Sequence, residues 1–443
     1  MHYYIRQWDE IGVIGSFTLH VADLLFAFTM IYCSVWALGR WRYSPLEYLN
    51  LLLSAILILN FARGMVAVGS APAGVHFRSL YVGYVSAALF VFLMHRRIDS
   101  HWVLDKVVLL GWGIVALSVA RLAFGLNAFL DPAFLAINTE AFGLNRTLNS
   151  DGALMLGEAT LIVVSRLGAL PPGPKRSRMT ATFVTFVSAL LISNQRSATV
   201  ATLAGMGAVL AAWPQRRRSV VLAAGSFVLI TAGAAVYGTW IAARGDIMSL
   251  FPRAIDMLGS DWTLDNETYV WRTIQWQSYI DFYGHETLWD QIMGLPLGAI
   301  LALRSNLDEM LQVSPHSGYI ALLMDAGIVG VVLFVSMLIV GVTKGIMLLR
   351  RGPSGGTFRS DVGLAIAILI SLAVFSYTYV VSNEHGLLLA IALQIIATAP
   401  GFAGRPALSR QGPVRRRMQR LGSGIAGAPV SLRTAPLGSR ATE

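Results

Sequence analysis

The sequence predicts an all-α polytopic membrane protein with about eleven transmembrane helices and one large helical loop between the eighth and the ninth. Three observations carry this prediction. Of the 443 residues, 55% are hydrophobic and only 13% are charged, which is too little charge to cover a soluble protein of this length. The apolar residues are grouped in segments of about membrane length. Clusters of lysine and arginine fall in alternate connections between those segments, as expected for membrane proteins.

Eleven apolar segments are long enough, or nearly so, to cross about 30 Å of hydrocarbon at about 1.5 Å per residue. In chain order they are residues 15–38, 46–68, 79–94, 103–125, 152–170, 180–193, 197–213, 219–241, 317–341, 362–382 and 386–400. The preceding residues 1–10 lack the basic start and the small-residue cleavage site of a signal peptide.

The basic clusters predict the orientation of these segments, because cytoplasmic loops carry an excess of lysine and arginine. With the N-terminus outside and the C-terminus inside, 23 of the 34 basic residues are cytoplasmic. The clusters outside the C-terminal tail are Arg40 and Arg42; Arg96, Arg97 and Lys106; Lys175, Arg176 and Arg178; Arg216, Arg217 and Arg218; and Lys344, Arg350, Arg351 and Arg359.

The chain is predicted to divide into a transmembrane domain, residues 1–400, and a cytoplasmic tail, residues 401–443. The tail carries eight arginines and one glutamate among many small residues, a composition typical of a disordered segment that contacts anionic lipid. The net charge of +10 is thereby explained without a nucleic acid partner. The outer loop 242–315 holds ten of the 24 acidic residues, and a loop of this length is usually functional.

The sequence offers no signal for a cofactor. Its single cysteine, Cys33, excludes an internal disulfide and a cysteine-based metal site. The sequence contains no P-loop, no HExxH motif and no convincing pair of metal-binding aspartates. We therefore expect chemistry that needs neither ATP nor a divalent metal.

The stretch SNQRSA, residues 193–198, joins the sixth and seventh segments on the outer side. Residues 180–213 supply about 51 Å of helix, whereas two full crossings need about 60 Å, so the hairpin tip is expected near the outer headgroups. There Arg196 could pair with the phosphate of a lipid-linked substrate. The alternative is an interfacial arginine that only reaches lipid headgroups.

The stretch DNETYVWRTIQWQSYIDFYG, residues 265–284, is typical of a helix, and Asp265 or Asn266 can cap it. At helical spacing one face carries Arg272, Trp276, Tyr279 and Tyr283. A cation followed by aromatic rings suits a phosphate followed by sugar rings. The alternative is an amphipathic helix that lies on the membrane and is anchored by its aromatic residues.

The stretch SPHSGYIALLMDAGIVG, residues 314–330, predicts a helix with Ser314 as N-cap and His316 in its first turn. The helix dipole there opposes protonation, and a neutral imidazole is suited to act as a general base. The alternative is a histidine that bonds to the backbone near the cap. Asp325 would lie about 13 Å deeper, where a carboxylate is expected to pair with an arginine of the bundle.

Further charges lie in or beside the apolar segments, and structural pairing explains them as well as chemistry does. They are Asp23, Arg63, Arg121 and Glu158. The stretch NEHG, residues 383–386, places Glu384 and His385 in a predicted short outer turn. A second acid/base or an acceptor-binding role there ranks below His316.

These stretches together resemble the O-antigen ligase/polymerase superfamily. SPHSGYIALLMDAGIVGVVLF resembles its helix led by a histidine, in which an acidic residue precedes a glycine-containing turn. SNQRSATVATLAG resembles its Ser-Arg-small segment, and YVWRTIQW followed by IMGLPLG resembles the second arginine and the Gly-x-x-x-Gly stretch of its large periplasmic loop. Order and spacing agree over roughly residues 150–400. The family often has twelve spans rather than eleven, and glutamate is common where Asp325 stands.

The resemblance implies a metal-independent, inverting C-type glycosyltransferase of the bacterial inner membrane, with its active site facing the periplasm. Its donor would be an undecaprenyl-diphosphate-linked glycan and its acceptor another glycan. Arg196 and Arg272 would bind the diphosphate, and His316 would orient or deprotonate the acceptor hydroxyl. The further substrate-binding candidates are Trp276, Tyr279, Tyr283 and Asp325. No cofactor is implied, membrane lipid is a partner, and envelope polysaccharide assembly proteins are candidate partners.

Three functions fit this pattern. The preferred one is a polymerase of exopolysaccharide, capsule or O-antigen repeat units, since such genes are numerous. The second is a ligase that transfers finished glycan to lipid A core, with the same motifs and mechanism. The third is a transporter or flippase of lipid-linked sugars, whose pathway would be lined by the buried charges. A flippase needs no large one-sided loop.

Overall fold

The computed structural model describes eleven stretches of the chain, and all structural statements refer to them. They are residues 10–14, 17–20, 44–77, 100–124, 148–193, 195–213, 267–303, 311, 315–352, 356–380 and 383–399. The predicted segments 79–94 and 219–241, the predicted tail 401–443 and Asp23 lie outside these residues.

The first described element is a short hairpin. Strand β1, Glu10–Ile14, pairs antiparallel with strand β2, Phe17–His20. Residues 17–20 belong to the predicted first apolar segment, 15–38, so the start of that prediction is wrong. The rest of that segment lies outside the described residues.

All other described elements are helical. They are α1 Pro45–Ala67, α2 Ser100–Phe124, α3 Ser150–Ala169, α4 Pro174–Ile192, α5 Arg196–Ala212, α6 Glu267–Gly284, α7 Leu288–Met293, α8 Ala299–Leu303, α9 Gly318–Arg351, α10 Gly356–Thr378 and α11 Asn383–Thr398; residues 70–77 are also helical. Among the described residues, five helices are long and apolar enough to cross a membrane. They are α1, α2, α3, α9 and α10, of which α2 qualifies over His101–Ala120 and α10 over Thr357–Thr378. The predicted class, an all-α polytopic membrane protein, is confirmed, while the number of eleven spans stays a prediction.

Local sequence signals place the starts of several helices. Helix α1 begins with a capping box, in which Ser44 N donates to Glu47 Oε2 and Glu47 N donates to Ser44 Oγ. Helix α3 begins after Asn149, whose side-chain oxygen accepts a bond from Gly152 N at 2.9 Å. These bonds satisfy amide groups that have no partner within the helix.

Helices α3, α5, α9, α10 and α11 form the core of the bundle together with α1. Helix α5 packs against α3 and α10, and α9 packs against α1 and α10. A Ser165–Ser360 hydrogen bond of 2.7 Å joins α3 to α10 at one end of the bundle. The distribution of basic residues predicts that this end is cytoplasmic, and we call the opposite end the outer end.

Helix α9 is too long to run straight beside α10. It has 34 residues and α10 has 23, which correspond to about 51 Å and about 35 Å of helix. Yet the two helices meet at both ends, where Gly318 N donates to Tyr379 O and Arg359 donates to Leu349 O, each at 3.0 Å. The excess length is taken up at a break, and we call residues 318–326, which precede it, the outer arm.

The break lies at Gly327, whose φ of +66° and ψ of −172° are not helical. Glycine is required because a Cβ at this position would lie 2.5 Å from Gly294 N and closer still to Ile292 O. The segment that follows α7 therefore packs directly on the broken backbone. Leu295 N donates to Met324 O at 2.7 Å, which satisfies a carbonyl next to the break.

A polar cluster ties the same segment to α1. Asn60 is fully buried, and its side-chain amide donates to Met293 O and to Asp325 O. Arg63 forms an ion pair with Asp290 and donates to Gly294 O at 2.7 Å. Arg63, one of the predicted intramembrane charges, thus has a structural partner.

Candidate active site at the outer end of the bundle

The outer end collects the elements that carry the predicted site residues. Leu148, just before α3, accepts a bond from the side chain of Gln195, just before α5. The start of the outer arm is bonded to the end of α10 through Gly318 and Tyr379. Arg196, His316 and the C-terminus of α10 therefore share one end of the bundle, as the order of the apolar segments predicts.

Arg196 begins α5, directly after the turn that ends α4 at Ile192. The predicted hairpin of the sixth and seventh segments is therefore present, with Arg196 at its tip. The side chain of Arg196 lies outside the described residues, so its proposed contact with phosphate stays a prediction.

Arg272 lies in the second turn of α6 and contacts Tyr379. Its Nη2 donates to the Tyr379 hydroxyl at 3.1 Å, and its guanidinium carbon lies 5.0 Å from the centre of the Tyr379 ring. A guanidinium has five N–H donors. One of them is bonded to Tyr379, and within the described residues the others have no protein acceptor and could bind an anionic ligand.

His316 lies against the same tyrosine. The imidazole is 6.0 Å from the Tyr379 ring, edge to face, and 5.4 Å from the Trp271 ring. Its backbone N–H donates to Gln275 Oε1 at 3.4 Å, and Gln275 is fully buried. Residues of α6, the arm and α10 thus meet around His316.

The prediction that His316 occupies the first turn of a helix is wrong. Ser317 is the N-cap and α9 begins at Gly318, because Ser317 has an extended backbone with φ of −156° and ψ of 124°. The cause of a neutral imidazole also differs. Burial, followed by the nearby Arg272 guanidinium, lowers the pKa of His316 to about 4.

The aromatic face of α6 is divided between two environments. Trp276 is half-buried and its ring packs edge to face on Tyr377 at 5.3 Å. Tyr279 and Tyr283 instead belong to a separate apolar cluster with Leu295 and Met324. The structure does not bring these two tyrosines to His316.

Tyr283 helps to fill the break in α9. Its hydroxyl donates to Gln291 O and accepts a bond from the backbone of Ile328, the residue after the break. Burial raises the pKa of Tyr283 to about 12, so the hydroxyl stays protonated and can donate. These contacts give Tyr283 a structural role that the helical spacing alone does not reveal.

The partner predicted for Asp325 is also wrong. Its carboxylate pairs with His76 Nε2 at 3.0 Å rather than with an arginine. The backbone carbonyl of Asp325 also accepts a bond from the side chain of Asn60 in α1. His316 and Asp325 therefore lie at opposite ends of the arm.

The predicted outer turn at residues 383–386 is helical instead. Helix α11 begins at Asn383, and His385 is fully buried with Nδ1 3.2 Å from Glu158 Oε2, a carboxylate that is also fully buried. A buried acid paired with a buried imidazole explains why the bundle tolerates Glu158. The side chains of Glu384 and Arg121 lie outside the described residues.

Tyr379 is the residue that sequence reasoning missed. It lies in SYTYVVSNEHG, near the end of the predicted apolar segment 362–382, where tyrosine is common at membrane interfaces and carries no signal of its own. Its position at the outer end was predictable from the order of segments. Its contact with Arg272 was not, because 107 residues separate the two.

Among the described residues, no group of three or more His, Cys, Asp or Glu side chains could hold a metal ion. Metal independence itself stays a prediction.

The comparison with known families places this site in a family domain. Residues 181–335 match the model of the O-antigen ligase family. This range is shorter than the predicted resemblance, which spans roughly residues 150–400, and it contains Arg196, Arg272, His316 and Asp325. No curated protein matches the chain. Residues 181–335 are therefore similar to a domain of the O-antigen ligase/polymerase superfamily, and the chain has the apolar helices of a multi-pass membrane protein.

Proposed function

We propose that the chain is a metal-independent, inverting C-type glycosyltransferase that polymerises undecaprenyl-diphosphate-linked repeat units of an exopolysaccharide, capsule or O-antigen. The family match supports ligase- or polymerase-type glycosyl transfer in general. The identity of the donor, the identity of the acceptor and the mechanism go beyond this match and form the proposal. Its location is the bacterial inner membrane, with the site facing the periplasm.

The observation that carries the proposal is the meeting of Arg272 and His316 on one tyrosine. A fixed cation suits the diphosphate of the donor, since guanidinium pairs with phosphate oxygens in a defined geometry. An imidazole with a pKa of about 4 is neutral at pH 7 and can accept a proton. The two groups have the chemistry that the two ends of the transfer require.

At the anomeric carbon the proposed step breaks one bond and forms one, and one proton is transferred. The acceptor hydroxyl oxygen attacks the anomeric carbon of the donor glycan from the face opposite the diphosphate, so the configuration inverts. His316 takes the hydroxyl proton as the new glycosidic bond forms. The bond between the anomeric carbon and the phosphate oxygen breaks, and undecaprenyl diphosphate leaves with the electron pair. Arg272, and Arg196 at the hairpin tip, stabilise the charge that develops on the leaving group.

Substitution of the three site residues tests this mechanism. Arg196→Ala, Arg272→Ala and His316→Ala should each abolish polymer in an assay with purified protein and lipid-linked repeat units, while membrane insertion is retained. Arg166→Ala is the matched control, since it also removes an arginine, but one that pairs with Asp105 at 2.6 Å near the cytoplasmic end. Normal polymer from all three site variants would exclude the mechanism.

The same assay separates enzyme from transporter. An enzyme extends the glycan without ATP, and added chelator leaves the rate unchanged if no metal takes part. Movement of the lipid-linked sugar across the bilayer without any new glycosidic bond would reject the proposal in favour of a flippase.

A ligase is the second candidate, because the matching family model is described as an O-antigen ligase. Polymerase and ligase differ in the acceptor, which is lipid-linked glycan in one and lipid A core in the other. Purified protein should be given both acceptors with one labelled donor. Transfer to lipid A core alone would replace the polymerase by the ligase and leave the residue roles unchanged.

A further inference from the structure

We propose that Tyr379 is a positioning residue that holds the Arg272 guanidinium and the start of the outer arm in one fixed arrangement. The inference rests on the proposed function, because it gives Tyr379 a part in orienting the two groups that act on the substrate. It goes further by separating two contributions of this residue, one from the phenol and one from the backbone.

The phenol fixes Arg272. The hydroxyl accepts a hydrogen bond from Nη2 at 3.1 Å, and the ring lies 5.0 Å from the guanidinium carbon. A long arginine side chain loses rotamer freedom when it is held, and a guanidinium that is held before substrate binds loses less during binding. The hydroxyl contact should therefore strengthen the binding of a diphosphate.

The backbone of Tyr379 fixes the arm. Its carbonyl accepts the bond from Gly318 N at 3.0 Å, two residues after His316. The approach is close, since a Cβ at Gly318 would lie 3.1 Å from the same carbonyl. Ser317 adds a weaker contact, as its hydroxyl lies 3.5 Å from Ser376 O in α10.

Tyr379 is itself held in place by a stacked ring of α10. Its ring stacks on Phe375 with a centroid distance of 5.3 Å and an angle of 19°, and Phe375 is fully buried. Phe375 in turn lies 6.1 Å from the ring of His385. The buried His385–Glu158 pair therefore lies under the stack that carries the site, which connects the bundle core to Arg272.

Tyr379→Phe tests the contribution of the phenol. The ring and its stack on Phe375 remain, and only the hydrogen bond to Arg272 is lost. We expect the KM for the lipid-linked donor to rise roughly tenfold, which is the lower end of the effect expected for one hydrogen bond to a charged group, while kcat changes little. Tyr319→Phe is the matched control. It removes a phenol hydrogen bond of 2.9 Å to Ala373 O in α10, and Tyr319 has no described contact with Arg272.

The pH profile gives a second readout that a merely structural role would not move. Among the residues that the structure describes, the charged or titratable groups that face His316 are Arg272 from α6 and Tyr379 from the end of α10. When Arg272 is less well held, its repulsion of a protonated imidazole weakens. The acid limb of kcat/KM should then move to higher pH in Tyr379→Phe and stay in place in Tyr319→Phe.

Folding is measured in parallel as the fraction of protein that elutes as a single species in detergent. Tyr379→Leu should lose both ring contacts and show a larger defect, but the conclusion depends on the milder phenylalanine variant. A Tyr379→Phe protein with the donor KM and acid limb of Tyr319→Phe would overturn the inference. If Arg272→Ala is inactive in the same series, the proposed function stands even though the inference about Tyr379 fails. If Arg272→Ala is fully active, the proposed function fails as well.

Discussion

Replacing Gly327 with alanine perturbs the break in α9 at its centre. Only glycine readily adopts a φ of +66° with a ψ of −172°, and another residue there costs about 1–3 kcal/mol. The added Cβ would also lie 2.5 Å from Gly294 N and closer still to Ile292 O. These are backbone atoms of a segment that is hydrogen-bonded to Asn60 and Arg63. Moving them away would therefore cost free energy.

The two effects act together, so we expect Gly327→Ala to reduce the free energy of unfolding by about 3 kcal/mol or more, which is large for one residue. The assay is the thermal midpoint of the purified protein in detergent, combined with limited proteolysis of residues 288–298. Polymer formation should fall as well, because the break sets the course of the arm that begins beside His316.

Gly113→Ala is the matched control for this substitution. Gly113 lies inside α2, and a Cβ there would meet nothing within 4 Å. Alanine is the better helix former by about 1 kcal/mol, so this variant should be neutral or slightly stabilised. If Gly327→Ala melts at the same temperature as Gly113→Ala, with equal resistance to protease, the assigned role of the break is refuted.

Three further predictions follow from single contacts. Activity should fall as pH drops through about 4, because His316 then becomes protonated and can no longer accept a proton; an acid limb near 6.5 in a rate profile would contradict this. Asn60→Leu should lower the thermal midpoint by the equivalent of about 1–3 kcal/mol, since Met293 O and Asp325 O lose a donor, whereas an unchanged midpoint would remove the proposed anchor. Glu158→Gln should keep the contact with His385 and fold normally, while Glu158→Leu should yield less folded protein in detergent; equal yields would show that the pair is dispensable.

The apolar pattern predicted the parts of the fold that depend on local composition. The hairpin around Arg196 is a case in point, since helices α4 and α5 end and begin within one residue of the predicted segments. Hydrocarbon thickness and helix rise set these lengths, and both can be applied to a sequence directly. Charge placement predicted the orientation of the helices across the membrane, and that orientation stays a prediction.

Contacts between distant segments could not be predicted in this way. Asp325 was expected to find an arginine, yet its partner is His76, a residue 249 positions earlier. Gly327 fits close helix packing as well as a break, and only the segment that packs on it decides between them. His385 lies between two apolar segments and therefore suggested a turn, although its pairing with Glu158 draws it into the bundle.

The aromatic face of α6 illustrates the limit of helical spacing. The period correctly places Arg272, Trp276, Tyr279 and Tyr283 on one side of a helix, but it does not say what each of them meets. Along α6, the N-terminal part meets α10 and His316, whereas the C-terminal part meets the break in α9. One face of a single helix therefore contacts two separate parts of the structure.

The outer arm has a fixed length because both of its ends are attached. Gly318 is bonded to Tyr379 at one end, while Asp325 is bonded to Asn60 and His76 at the other. Inserting or deleting one residue between them would rotate one end by about 100° relative to the other and change their separation by about 1.5 Å. Natural variation in this superfamily should accordingly preserve the number of residues between these attachment points more strictly than their identities.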